Sequence, residues 1–172
     1  MRVLVTGGNG GLGHRVVLRL DKAGHDVLVG TRTPRAANHF HHDLDDGRAP
    51  ALDGIDVVVH LATSPLVPSR DIEGSATLWE AAKEAGVGHV IYVSIVGIDD
   101  HPSAYYRAKR AVEAQLEASG LPYTILRATQ FHSLIPHFHG LVTNWRGVPA
   151  HRPRRGGRPG RGTGRRRSRR TS

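Results

Sequence analysis

Val3-Leu4-Val5-Thr6-Gly7-Gly8-Asn9-Gly10-Gly11-Leu12-Gly13 carries a strand, a turn and the start of a helix in one continuous stretch. The β-branched apolar run reads as a buried parallel strand. Glycines at 7, 10 and 13 follow at once, in a G-x-x-G-x-x-G spacing. Leu12, Val16, Val17 and Leu20 then recur at helical spacing, which predicts a helix over 10–23 ending at Gly24. Gly7 suits the tight turn out of the strand, Gly10 a close backbone approach to a pyrophosphate, and Gly13 close packing of helix on sheet. The helix N-terminus offers free N–H groups and a partial positive charge to phosphates. A glycine trio alone is a weak sign. Placed between a strand and an amphipathic helix it points to a dinucleotide, with Gly7, Asn9, Gly10, Gly11, Leu12 and Gly13 as the candidate loop.

The same alternation continues along the chain. Residues 26–31 predict a second strand, completing a βαβ unit of the usual size. A weak third strand is expected near 38–44 and a strong fourth over 55–61. A helix over 72–85 ends at Gly86, a fifth strand spans 89–94, a helix over 105–118 ends before Gly120, and a sixth strand covers 123–127. Strands alternating with helices predict an α/β, Rossmann-type doubly wound parallel sheet with helices on both faces. Ligands of such sheets bind at the carboxyl ends of the strands.

Nucleotide choice is read at the end of the second strand. An NAD-binding unit usually places an acid there for the ribose 2′-hydroxyl. Thr31-Arg32-Thr33-Pro34-Arg35 has none. Arg32 can pair with a 2′-phosphate and Arg35 can add charge, which favours NADP, with NAD the less favoured alternative. Asp43 and Leu44 are candidates for the adenine edge. His60-Leu61-Ala62-Thr63, ending the fourth strand, would border the cofactor ribose, with Leu61, Ala62 and Thr63 as contacts.

Composition sets outer limits. The chain has 172 residues and no cysteine, so disulfides and thiolate chemistry are excluded. No apolar run reaches the roughly 18–20 residues that span a bilayer, and no signal-peptide layout is present, so a cytoplasmic protein without a membrane partner is expected. The net charge of +9 is uneven: residues 1–150 carry 14 Lys and Arg against all 15 acids, while 151–172 carry 10 Arg and no acid. The tail cannot bury apolar surface, and disorder is expected there. It would bind nucleic acid only non-specifically, through phosphates.

Beyond the glycine loop, three pieces carry a family resemblance: Val93-Ser94-Ile95-Val96-Gly97-Ile98-Asp99, Tyr105-Tyr106-Arg107-Ala108-Lys109, and Leu121-Pro122-Tyr123-Thr124-Ile125-Leu126-Arg127. Together with the loop they resemble the short-chain dehydrogenase/reductase superfamily, and more closely its atypical NmrA-like NAD(P)H-binding branch, over about residues 1–135. Tyr105 and Lys109 lie four apart on one helix face. Such a pair does acid–base work when the ammonium lowers the phenol pKa and the phenol exchanges a proton with a substrate oxygen. The resemblance implies that Lys109 also holds the nicotinamide ribose. Catalytic members usually carry Ser or Thr slightly beyond strand five, where this chain has Ile95 and Val96; Ser94 sits a little early. The branch also contains members that bind the nucleotide without turning it over.

The resulting expectation is an NADP-dependent oxidoreductase moving hydride to or from a small carbonyl, alcohol or quinone-like substrate. The alternatives are a non-catalytic NAD(P)-binding redox sensor, or a truncated product with little activity. His39-Phe40-His41-His42-Asp43 matches no metal-site spacing and reads as a solvated loop. His132, His137 and His139 are weaker candidates for a substrate pocket. An NAD(P)-binding domain is expected over 1–135, a degenerating segment over 136–150, and the Arg/Gly/Pro-rich tail over 151–172. The switch in composition is what a shifted reading frame produces, so a frameshift truncation starting between Ile135 and Ala150, with an incomplete substrate lobe, is expected.

Overall fold

Successive residues of β1 (Arg2–Thr6) point to opposite faces of the sheet, and the two sides build two different cores. In the computed structural model, which describes residues 1–99 and 101–129, β1 leads into α1 (Gly11–Lys22), β2 (Asp26–Thr31), β3 (His39–His41) and β4 (Val57–His60). Then come α2 (Pro68–Glu84), β5 (His89–Ile95), α3 (Ala104–Ala118) and β6 (Tyr123–Ala128). The six strands form one parallel sheet in the order β3-β2-β1-β4-β5-β6. The chain reverses direction across the sheet between β1 and β4, and the crevice at their carboxyl ends is the switch point of a doubly wound sheet.

On one face, Val3, Val5, Val27 and Val59 pack under Val16, Val17 and Leu20 of α1. On the other, Leu4, Val58, Val90 and Tyr92 pack under Leu78, Trp79 and Ala82 of α2 and Val112 and Leu116 of α3. This is the period-2 rule at work, since neighbours in a strand point to opposite faces. Helices therefore cover both faces, as the alternation requires. Each helix stops just before the glycine on which the sequence ends it, Gly24, Gly86 or Gly120.

Three boundaries differ from expectation. α2 starts at Pro68, one turn before Ile72. That first turn is Pro-Ser-Arg-Asp, which has no apolar periodicity but carries proline where its missing N–H costs nothing. β3 is only three residues long, because it is an edge strand paired on one side to β2. β4 is shorter than 55–61, since Ile55 still lies in a turn closed by its N–H to Leu52 O. Histidines 132, 137 and 139, the expected degenerating segment and the basic tail lie outside the described residues, as does the expected frameshift point.

Candidate functional site

The glycine loop sits at the switch point. Gly7 adopts φ +66°, and a Cβ there would lie 2.8 Å from Ala62 N. The turn after β1 thus presses directly on the end of β4. Gly13, on the first turn of α1, is buried against the same turn: a Cβ would strike the Gly7 carbonyl and sit 2.7 Å from Gly8 Cα. Gly10 caps α1 with no side-chain hydrogen bond, and no acid lies in the helix's first turn. The first N–H groups of α1 are therefore left for an external acceptor. Asn9 Nδ2 donates to Thr31 Oγ1 at 3.1 Å and ties the loop to the end of β2.

An open cleft of about 440 Å³ runs along these carboxyl ends. Gly7, Asn9 and Gly10 line it from the loop, Arg32 from the end of β2, Asp43 and Leu44 from the segment after β3, and Leu61, Ala62 and Thr63 from the segment after β4. Of the other candidates, Gly11 and Leu12 belong to the first turn of α1 and, with Gly13, do not line the cleft. Arg35 lies outside it as well, its N–H donating to His39 Nδ1 at 3.0 Å. Arg32 makes no salt bridge among the described residues, whereas Arg70, a lining residue the sequence did not single out, pairs with Asp45 at 2.7 Å. Arg32 is thus the cation of this cleft that is free to meet an anion. Glycine turn, uncapped helix and unpaired arginine are the donor set a dinucleotide phosphate requires, and the residues present fit such a group.

Behind the cleft, the α2/α3 face is polar in its interior. His60, 1% exposed, receives the Thr6 hydroxyl on Nδ1 at 2.7 Å and meets Ser75 Oγ through Nε2 at 3.1 Å. Thr6 Oγ1 also accepts the N–H groups of Leu61 and Ala62, at 3.1 and 3.2 Å. With both accepting positions filled, the threonine proton points to Nδ1, so His60 is the Nε2–H tautomer and donates to Ser75. Burial, and secondarily the nearby His42 and Lys109, holds His60 well below the ordinary histidine range, and it stays neutral. His42 is buried too, edge-on to His60 at 6.2 Å, with its N–H on Thr31 O. The expected solvated loop over 39–43 is therefore an edge strand followed by a buried histidine. Among the described residues no group of three or more acids and histidines is placed to hold a metal.

Tyr105 stands at the start of α3, and its hydroxyl lies 3.1 Å from Thr63 Oγ1. Thr63 in turn donates to the buried Asp71 Oδ2 at 2.5 Å, and Ser64 N donates to Asp71 Oδ1 at 2.5 Å. Burial raises the Asp71 carboxyl above its ordinary value, against the lowering pull of the Thr63 hydrogen bond and Lys109. The expected effect of Lys109 on Tyr105 is not what the geometry provides. Lys109 is buried, its Nζ lies 4.5 Å from the centre of the Tyr92 ring, and its charge is felt by Asp71 and Glu113. Burial lowers the lysine to about 8. Tyr105 is pushed up, by burial first and by Asp71 and Tyr106 next, with only the Thr63 hydrogen bond pulling it down. The phenol's electrostatic partner is thus Asp71. Ser94 is also buried, on the Tyr92 side of β5, and its Oγ has no hydrogen-bond partner among the described residues.

Glu113, fully buried, receives Arg127 Nε and Nη2 at 3.0 and 2.6 Å, and Arg127 Nη1 reaches Asp99 at 2.8 Å. This ties α3, β6 and the loop after β5 together. Tyr106 stacks on His101 at 3.7 Å and does not line the cleft.

A parallel sheet ordered 3-2-1-4-5-6, with a glycine turn and an uncapped helix at its switch point, defines the Rossmann class of nucleotide-binding proteins. The family model described as NAD(P)H-binding matches residues 7–133, and the chain belongs to that family, within the SDR-like superfamily of NAD(P)-dependent reductases and epimerases. The chain is 31% identical over 147 residues to the photosystem II assembly factor Ycf39 of Synechocystis sp., covering 76% of this chain and 45% of that protein. It is 29% identical over 138 residues to 2-alkyl-3-oxoalkanoate reductase of Stenotrophomonas maltophilia, covering 72% and 40%. The triphenylmethane reductase of Citrobacter sp., solved with NADP(H), shares the fold with a TM-score of 0.70 at 21% identity, over 78% of this chain and 52% of that one. The chain spans less than half the length of these two sequence relatives. No helix among the described residues is long and apolar enough to cross a membrane.

Proposed function

We propose that the chain is an NADP-preferring oxidoreductase of the atypical, NmrA-like short-chain type, acting in the cytoplasm on a small carbonyl, alcohol or quinone-like substrate. One observation carries this reading. The wall of the cleft that bears the glycine loop and the unpaired Arg32 also bears Thr63, whose hydroxyl holds Tyr105. The acid–base group thus stands one hydrogen bond behind the wall of the nucleotide cleft. The nicotinamide would supply or accept the hydride. The chain's own work is to bind, orient and move the proton. Arg32 would pair with the 2′-phosphate, Asp43 and Leu44 would border adenine, and Lys109 would meet the nicotinamide ribose. Leu66 and Val96, 81% and 54% exposed on the loops after β4 and β5, offer apolar contact at the same edge of the sheet. That suits a substrate with an apolar body.

A second reading, a nucleotide-binding sensor without turnover, is favoured by Ile95 and Val96, which stand where the family resemblance implies a serine or threonine in catalytic members. A screen of carbonyl, alcohol and quinone substrates with NADPH and NADP decides between them. Under the first reading Tyr105→Phe lowers the rate while sparing nucleotide affinity, and Lys109→Ala harms both. Arg32→Asp should move the NADPH-to-NADH affinity ratio about tenfold or more, the worth of one charge-assisted hydrogen bond. Turnover that survives intact in Tyr105→Phe contradicts the assignment of the phenol.

A further inference from the structure

We propose that Thr63 and Asp71 complete the acid–base site, forming with Tyr105 a proton relay that runs from the cleft to a buried carboxylate. The inference rests on the oxidoreductase reading and deepens it. Its basis is hydrogen-bond direction. Asp71 is 2% exposed and sits in the first turn of α2. An ionised carboxylate only accepts, so the Thr63 hydroxyl spends its one proton on Asp71 Oδ2 at 2.5 Å. The Thr63–Tyr105 contact at 3.1 Å must then be donated by the phenol. The order is therefore Tyr105 to Thr63 to Asp71, with Ser64 N fixing the second carboxylate oxygen at 2.5 Å. Thr63 and Ser64 lie between β4 and α2, Asp71 on the first turn of α2 and Tyr105 on the first turn of α3.

The relay removes a difficulty of the site. A phenol raised by burial and by Asp71 is a poor source of phenolate at neutral pH. The relay needs none. In alcohol oxidation the substrate hydroxyl passes its proton to the Tyr105 oxygen, the phenol proton passes to Thr63, and the threonine proton passes to Asp71. An oxidised nicotinamide dinucleotide, when bound, would take the carbon's hydride, so that one hydride and one proton leave and a carbonyl remains. Tyr105 and Thr63 end as neutral as they began, and Asp71 ends protonated. Reduction runs the same transfers backwards, with Asp71 as the proton source. Val96 then stands where no hydroxyl is required, because Thr63 from the neighbouring strand end supplies it. The groups that face Asp71 set its proton affinity: the Thr63 hydroxyl and Ser64 N–H, the Lys109 ammonium and Tyr105 phenol from α3, and the Tyr92 phenol from β5.

The test uses the full chain with Thr63→Val, Thr63→Ser, Asp71→Asn and Tyr105→Phe. Thr63→Val keeps the shape and removes the hydroxyl, and it stands in if Asp71→Asn fails to fold. Carbon NMR of labelled aspartate, without nucleotide or substrate, should show the Asp71 midpoint moving up in Thr63→Val and returning in Thr63→Ser. With a substrate in hand, Thr63→Val should lower kcat about a hundredfold, and Thr63→Ser should restore it. The solvent-deuterium proton inventory should be curved in the parent and linear in Thr63→Val. An unmoved Asp71 midpoint in Thr63→Val overturns the relay whether or not turnover is found. So does full kcat in Thr63→Val while Tyr105→Phe is inactive, a result that leaves the oxidoreductase reading intact. Absence of turnover in the parent, with the Asp71 midpoint moving as expected, overturns the oxidoreductase reading and keeps the Thr63–Asp71 hydrogen bond.

Discussion

The two faces of the sheet are built from the same strands but to different ends. Under α1 the buried positions are aliphatic: Val3, Val5, Val27 and Val59 meet Val16, Val17 and Leu20. Under α2 and α3 the same strands bury Thr6, His60 and Ser94, and the helices bury Asp71, Ser75, Lys109 and Glu113. A face that only has to hold the sheet together gains nothing from polar groups, which cost free energy unless every one is paired. The α2/α3 face carries that cost at the carboxyl ends of β1, β4 and β5, next to the cleft. The contrast separates scaffold from chemistry within a sheet one residue thick.

The largest expected effect lies where the two faces meet. Gly13→Val would drive a branched side chain into the turn over Gly7 and Gly8. Nucleotide affinity should fall by about a hundredfold or more, roughly 2.7 kcal/mol, and equilibrium dialysis with NADPH measures it. Next comes a matched pair of neighbours. Val5→Thr buries a hydroxyl on the aliphatic face and should cost about 1–3 kcal/mol of stability while leaving nucleotide affinity alone. Thr6→Val removes the partner of His60 Nδ1 and of the Ala62 N–H, and should cost a similar amount and weaken nucleotide binding as well. Urea unfolding and nucleotide titration on both variants check this. Equal effects on binding would erase the distinction between the faces.

The smallest effect is in pH. Burial depresses His60 below its ordinary 6.5, so the unfolded chain takes up a proton there that the folded chain refuses. Stability from this group is present above pH 6.5 and is lost as pH falls below it, at up to about 1.4 kcal/mol per pH unit. His42, also lowered by burial, acts in the same direction. Urea midpoints at pH 7 and pH 5.5 should therefore differ less in His60→Gln than in the parent. Lys109 works on the alkaline side. Lowered from 10.5 to about 8, it makes stability rise with pH between those values.

The fold was legible because its signals are local. β-branched runs bounded by glycines announce the strands, and Leu12, Val16, Val17 and Leu20 announce α1. The turn that begins α2 was not legible, since Pro68, Ser69, Arg70 and Asp71 show no apolar spacing. The cleft-lining part of the candidate site was readable for the same reason as the fold: Gly7, Asn9, Gly10 and Arg32 sit in one βαβ unit and line one cleft. Asp71 was missed, though a signal existed. Asp71, Ser75, Leu78 and Ala82 recur on one helical face and all are buried, and an acid on a buried stripe calls for a partner. Thr63 lies only eight residues away, but in a loop whose path no periodicity predicts. Glu113 needed Arg127 from a different element, a pairing that only the folded chain reveals.

The central claim is that the cleft over the glycine loop holds a nicotinamide dinucleotide and prefers the phosphorylated form. Calorimetric titration of NADPH and of NADH into the full chain tests it most directly. The account predicts one site for each, with NADPH the tighter by about tenfold, as one charge-assisted contact to Arg32 implies. Absence of heat and of competition with either nucleotide, or tighter binding of NADH, would contradict it.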